Sequence, residues 1–172
     1  MSQPAVPEAQ PPAQEPALAA GLDDGAKRLL RLAIAALARR EHSRVEVDRK
    51  LQRLLQGGET AADIALVLDR LESRGLLSDQ RMAQALVRSR AMRYGRLRLQ
   101  QDLQRRGVDR ETIAAALPPP EDESAVARAL WERKFGQAAA TPQERARQGR
   151  YLAARGFAGS IIARILSVGE DS

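Results

Sequence analysis

The strongest constraint on this chain is that it repeats itself. Leu103-Gln-Arg-Arg-Gly107-Val108 returns as Leu152-Ala-Ala-Arg-Gly156-Phe157, an offset of 49, and Ile113 and Leu117 return as Ile162 and Leu166 at the same offset. The block reads as a helix, a glycine stop, an apolar anchor and a second helix. Upstream, Tyr94-Gly95 matches Phe135-Gly136 at an offset of 41, so the last copy holds about eight further residues around 137–144. A more diverged copy aligns Ile34, His42-Ser43, Val47 and Leu51 with Leu86, Tyr94-Gly95, Leu99 and Leu103 at an offset of 52. A left-handed glycine ends the second helix of each unit and turns the chain, and the apolar residue after it packs back on that helix. A unit of ~40 residues buries little core alone, so neighbours must stack. The expected fold is all-α: an elongated, curved array of three tandem three-helix repeats at 24–77, 78–118 and 121–168.

Apolar spacing and helix signals support nine helices from Asp23 onward. Leu30, Ala33, Ile34, Leu37 and Ala38 form one stripe of a helix over about 24–40. Ser43-Arg-Val-Glu46 has the form of a capping box, and Thr60-Ala-Ala-Asp63 marks a further N-terminus. Ser78 and Asp109 are candidate N-caps, and Thr141-Pro142-Gln-Glu144 sets Pro at the first helical position. Pro118-Pro119-Pro120 stops the sixth helix, because proline lacks the N–H donor and clashes with the preceding turn. Residues 1–22 are rich in Pro, Ala, Gln and Glu with few bulky apolar groups, so the expectation there is a disordered tail.

Composition narrows the chemistry. Aromatic residues make up only 3% of the chain, so the core must be built from Leu, Ile, Val and Ala. The chain has no cysteine, which excludes disulfides, thiolate zinc sites and Cys nucleophiles and fits a reducing compartment. No apolar stretch approaches the ~20 residues that span a bilayer. Residues 1–25 show no basic region followed by an apolar run, so a cytoplasmic protein is expected. No long heptad pattern appears, which favours a monomer.

His42 is the only histidine, so a His-based acid–base pair or a multi-His metal site is ruled out; its place before Ser43 suggests a structural role. Asp23-Asp24 and Asp122-Glu123 sit near helix starts, where carboxylates favour the positive end of the helix dipole. No Gly-Lys-Ser/Thr phosphate loop is present. The reading is of a protein that is not an enzyme and uses no cofactor or metal.

Net charge is +6, unevenly spread: residues 1–25 carry four acids and no base, while 81–120 carry nine Arg against Asp102, Asp109 and Glu111. A basic middle suits an anionic partner, either nucleic acid or an acidic protein surface.

The order and spacing of several short motifs resemble the RecX family. They are Ala38-Arg-Arg-Glu-His-Ser43 with Lys50-Leu51, Leu71-Glu-Ser-Arg-Gly-Leu-Leu-Ser-Asp79 with Met82-Ala83, and Tyr94-Gly95. Leu103-Gln-Arg-Arg-Gly-Val108, Lys134-Phe135-Gly136 and Leu152-Ala-Ala-Arg-Gly-Phe157 complete the set. The likeness covers about 26–168; it departs where Met82 replaces the usual Phe and Val47 the usual Leu, both apolar exchanges. The resemblance implies a regulator that binds the RecA filament on single-stranded DNA and inhibits its ATP hydrolysis and strand exchange. Recombination, DNA repair and the SOS response would be tempered thereby. Direct DNA contact is the alternative that the basic middle supports.

The candidate contact residues for RecA or DNA are Arg88, Arg90, Arg93, Arg96, Arg98, Arg105 and Arg106, with Arg133 and Lys134 at the equivalent corner of the third unit. Arg88 and Arg90 lie about 200° apart on a helix, so one narrow stripe cannot hold both. The Tyr94-Gly95 corner is expected to gather Arg90, Arg93, Arg96 and Arg98 to meet carboxylates or phosphates. Tyr94 is expected in the core, and Trp131 as a buried anchor or a partner contact.

Overall fold

Short helices, several with strong local caps, account for most of the described chain, residues 15–167 of a computed structural model. The helices are α1 (Glu15–Ala19), α2 (Asp24–Leu37), α3 (Arg44–Gln52), α4 (Ala61–Ser73), α5 (Asp79–Arg90), α6 (Arg96–Arg105), α7 (Arg110–Ala116), α8 (Pro120–Lys134), α9 (Pro142–Ala154) and α10 (Gly159–Ser167). Two compact units divide at Asp79 and Gln80.

In the first unit, Asp23 caps α2 by accepting from the Ala26 N–H at 2.8 Å. Ser43 and Glu46 close a capping box on α3, and Thr60 and Asp63 close one on α4. These caps satisfy amides that a helix leaves without intrahelical partners. The helices bury one aliphatic core, with Leu29, Leu30, Val47, Leu51, Ile64, Leu68 and Leu71 almost fully shielded from solvent. Gly75, at φ 68°, ends α4 in a left-handed turn that returns the Leu76 N–H to the Leu71 carbonyl at 2.8 Å.

Two arginines tie distant segments of this unit together. Arg28 donates from Nε and Nη2 to Glu59 at 2.6 and 2.5 Å and from Nη2 to the Leu54 carbonyl at 2.7 Å. Those bonds hold the α3–α4 connection to α2. Arg44 pairs with Asp69 at 2.7 Å and with Glu72, while its backbone N–H donates to Asp79 Oδ1 at 2.7 Å.

The expectation of a disordered tail to residue 22 is corrected over residues 15–22; residues 1–14 lie outside the described chain. Leu18 and Leu22, four apart, are buried in the first core. Arg70 Nη1 takes the carbonyls of Leu18 and Ala20, both at 2.7 Å. Two leucines and one capping guanidinium therefore order a segment whose average composition is poor in apolar bulk.

The second unit contains two three-helix sets, α5–α7 and α8–α10. The first packs on Met82, Leu86, Leu99, Leu103, Val108 and Ile113. The second packs on Ala127, Leu130, Leu152, Phe157, Ile161 and Ile165. The repeated glycines behave alike: Gly107 and Gly156 sit at φ 78° and 82°, and the next N–H returns to Leu103 or Leu152. The prolines do more than stop a helix, because Pro120 also opens α8 at its first turn, where no donor is lost.

The two sets are joined backbone to backbone. The Gly95 N–H donates to the Arg155 carbonyl at 2.8 Å, and the Leu97 N–H to the Gly156 carbonyl at 3.2 Å. The Arg96 N–H donates to Glu123 Oε1 at 3.0 Å. A Cβ on Gly95 would lie under 3.0 Å from both Gly156 O and Glu123 Oε1. A Cβ on Gly156 would meet the Arg98 backbone equally closely.

The first amides of α3 and α6 are thus each capped by a carboxylate from far along the chain, Asp79 within the first unit and Glu123 within the second. The equivalent helix of the last set, α9, begins at Pro142, which has no N–H. Its capping needs are met locally by Thr141 and Glu144.

Gly95→Ala is expected to cost about 1–3 kcal/mol of stability, because the close approach is to backbone and neither partner can yield cheaply. Gly57→Ala, with open space around it, serves as the control in urea unfolding. An equal midpoint for both variants would contradict the junction's role. Glu59 gives a separate pH test. Its carboxyl is lowered from 4.5 to about 2 by the Arg28 hydrogen bond first, and then by the Gln56 N–H. The stability this pair contributes is complete above pH 4.5 and lost as pH falls through about 2. In melting curves across that interval, Glu59→Gln should show a shallower decline than the native chain.

Candidate interaction surface

The basic stretch is sorted by one buried carboxylate. Asp102, on the core-facing side of α6, is shielded from solvent. Arg90, in the last turn of α5, donates to Asp102 Oδ2 at 2.8 Å. Arg98 and Arg105 lie on the same α6 face at i−4 and i+3, with their guanidiniums 3.4 and 3.9 Å from Asp102 Oδ1. Three guanidiniums share one carboxylate, so the cluster keeps a surplus of positive charge. Arg98 Nε is buried there without a hydrogen bond of its own, held by the ion pair alone.

The corner therefore does not gather Arg90, Arg93, Arg96 and Arg98 onto one outward face. Arg90 and Arg98 are turned toward Asp102. Arg96 uses its backbone N–H on Glu123 and its guanidinium on the Pro118 carbonyl, closing the link into α8. Arg93 is exposed, and its Nη2 returns to the Ser89 carbonyl at 3.3 Å. Arg88 is exposed in the last turn of α5, while Arg105 keeps two-thirds of its side chain in solvent. Arg106 caps the end of α6 and is half-buried. Arg133 and Lys134 are exposed in the last turn of α8, and Lys134 borders a cleft with Phe135, Glu144 and Arg147.

The rings are already engaged. Tyr94 packs on the second unit's first core, and the Arg98 guanidinium stands 5.9 Å from its centroid. Phe135 and Tyr151 meet edge-on at 5.2 Å; Arg147 covers Phe135 and Arg155 covers Tyr151 at 5.8 and 3.8 Å. Stacking a nucleotide base on Tyr94, Phe135 or Tyr151 would first displace a guanidinium. Trp131 is half-buried and donates to Gln148 Oε1 at 2.8 Å, and Gln148 Nε2 donates to the Gln137 carbonyl at 3.2 Å. The Trp is thus part of the clamp on the additional residues of the third repeat.

Glu123 lies in the first turn of α8, as its place near a helix start suggested, and it also does what the sequence did not show: it is a buried cap on the Arg96 N–H of the preceding set. Its place among three acids in the first turn of α8 gave no signal of this. His42 Nδ1 lies 2.9 Å from the Arg40 carbonyl in the turn before α3. Among the described residues, no group of three or more His, Cys, Asp or Glu is placed to hold a metal ion, and no helix is long and apolar enough to cross a membrane.

Comparison with known proteins finds the same architecture. A family model described as "RecX, second three-helix domain" matches residues 78–117, and "RecX, third three-helix domain" matches 121–166. A "Regulatory protein RecX" of Ralstonia pickettii (strain 12J) is 41% identical over 140 residues, which are 81% of this chain and 86% of that protein. A protein of the same description from Pseudomonas entomophila (strain L48) is 44% identical over 144 residues, covering 82% and 90%. The crystal structure of RecX from Lactobacillus salivarius superposes with a TM-score of 0.72 at 20% identity, covering 87% of this chain and 99% of that one.

Removing a partner from the Asp102 cluster should be felt in the fold, whereas removing an outward charge should not. Arg90→Glu is expected to lower stability by about 1–3 kcal/mol, since it sets a like charge against a buried carboxylate. Arg88→Glu should leave the denaturation midpoint unchanged. Equal midpoints for the two variants would show that Asp102 does not depend on Arg90.

Proposed function

Because the chain belongs to the RecX family of regulatory proteins, we propose that it binds the RecA filament on single-stranded DNA and restrains its ATP hydrolysis and strand exchange. Such an activity tempers recombination and the SOS response. Membership in a family of regulatory proteins carries this reading. The arrangement of charge supports it: Asp102 and Glu123 draw Arg90, Arg96, Arg98 and Arg105 partly into the scaffold, while Arg88, Arg93, Arg133 and Lys134 are exposed. Planar guanidiniums held at a fixed corner suit bidentate recognition of a partner's carboxylates. The work asked of the protein is binding, with no catalytic role and no cofactor.

Direct DNA binding is the second reading, favoured by the nine arginines of 81–120. It predicts affinity for single-stranded DNA in the absence of RecA, falling steeply with salt as counterions are released. The filament reading predicts that affinity depends on RecA.

The deciding measurement is the rate of ATP hydrolysis by RecA on an excess of single-stranded DNA, titrated with this protein. Inhibition below one protein per RecA protomer is expected. Arg88→Glu with Arg93→Glu should weaken it by about tenfold or more while the fold is unaffected, since both side chains are exposed. No inhibition at an excess over RecA would overturn the proposal.

A further inference from the structure

Four large apolar side chains stand exposed among the described residues, and two of them, Met92 and Leu97, fall within six residues at the α5–α6 corner. Met92 is 72% exposed and Leu97 50%. Solvent contact on this scale is not an effect of a loose loop. The Arg93 and Tyr94 N–H groups return to the Arg90 carbonyl at 2.9 and 3.1 Å, and the Gly95 and Leu97 N–H groups are bound to Arg155 and Gly156. The corner is fixed by backbone bonds on both sides of its tip, so presenting these side chains to a partner orders little new chain.

The charged residues of the segment 88–98 are all arginines, and the acids that meet them, Asp102 and Glu123, are buried. Arg88 and Arg93 are exposed beside it, Arg90 and Arg98 stand behind it, and the one acid of α6, Asp102, is buried beneath them. An exposed thioether and an isobutyl group gain nothing from a sugar–phosphate backbone, and the nearest ring, Tyr94, is packed and faced by Arg98. A protein surface answers both halves of the pattern: an apolar depression for Met92 and Leu97, rimmed by Asp or Glu for the guanidiniums. Methionine is suited to the centre of such a contact because its unbranched, polarisable chain adapts to the receiving pocket.

We propose that the 91–97 corner is the protein-docking tip of this molecule, with Met92 and Leu97 inserting into an acid-rimmed apolar cleft on the partner protein. The assignment rests on the filament reading above and identifies that partner's contact chemistry as protein rather than nucleic acid.

The test compares the native chain with the Met92→Ser, Leu97→Ser double variant by fluorescence anisotropy at one salt concentration. The two probes are RecA filaments assembled on single-stranded DNA and the same DNA without RecA. The double variant should bind filaments at least about tenfold more weakly, as expected when a central apolar anchor is lost, with its binding to bare DNA unaltered. Filament binding within twofold of native would overturn the docking assignment while leaving the filament reading intact. An equal loss on bare DNA would assign the corner to nucleic acid and also overturn it. Failure of the native chain to bind filaments would instead remove the reading on which the proposal depends. Should the double variant melt earlier than native, Met92→Glu alone, at the more exposed position, repeats the comparison with the same criteria.

Discussion

The second unit depends on a contact in which no side chain takes part. Two N–H groups at the start of α6 reach two carbonyls at the end of α9, and the approach is close because both chains offer glycine. Everything else at the α5–α7 and α8–α10 junction follows from that distance. Glu123 can reach the Arg96 amide, the Arg96 guanidinium can close on Pro118, and the corner carrying Met92 is held from behind. Side-chain packing across a helix junction tolerates small shifts, but a backbone bond at 2.8 Å does not, so this contact fixes the register of the two sets within the unit.

A second constraint governs how the protein carries so much arginine. Interspersed guanidiniums repel one another, and a buried acid is costly without partners. Setting Asp102 under Arg90, Arg98 and Arg105 answers both problems at once. The carboxylate is neutralised several times over, and the arginines are anchored with their outer edges still wet. Arg28 with Glu59 and Arg44 with Asp69 and Glu72 form comparable pairs in the first unit, where acids and bases nearly balance. Part of the arginine is thus committed to the scaffold, which is why a plain count of arginines overstates the surface offered to a partner.

Local features were legible in the sequence, and features made by distant segments were not. The stops at Gly107 and Gly156 could be read because the Leu-x-x-Arg-Gly-apolar block occurs twice, and both adopt the left-handed turn. The caps at Ser43, Thr60, Asp109 and Thr141 depend on residues three apart and fell where expected. Gly95, part of the repeated Tyr94-Gly95 corner, is different: its φ is −75°, which any residue can adopt. Its requirement is steric and comes from Gly156, which no window around residue 95 contains. The order of residues 15–22 escaped notice for the same reason, since Arg70 supplies it from far along the chain. Gln148 stands where the repeat offset of 49 sets Leu99 in the preceding copy. The exchange makes sense only once the additional loop and Trp131 are seen to need a polar clamp.

Pro142 closes off one kind of contact at the third set. Arg44 and Arg96 each give a first-turn amide to a carboxylate far along the chain, Asp79 and Glu123, whereas α9 begins on an imino acid and has no N–H at that position. Proline at that turn leaves one amide fewer to satisfy, so α9 can start on the local box of Thr141 and Glu144.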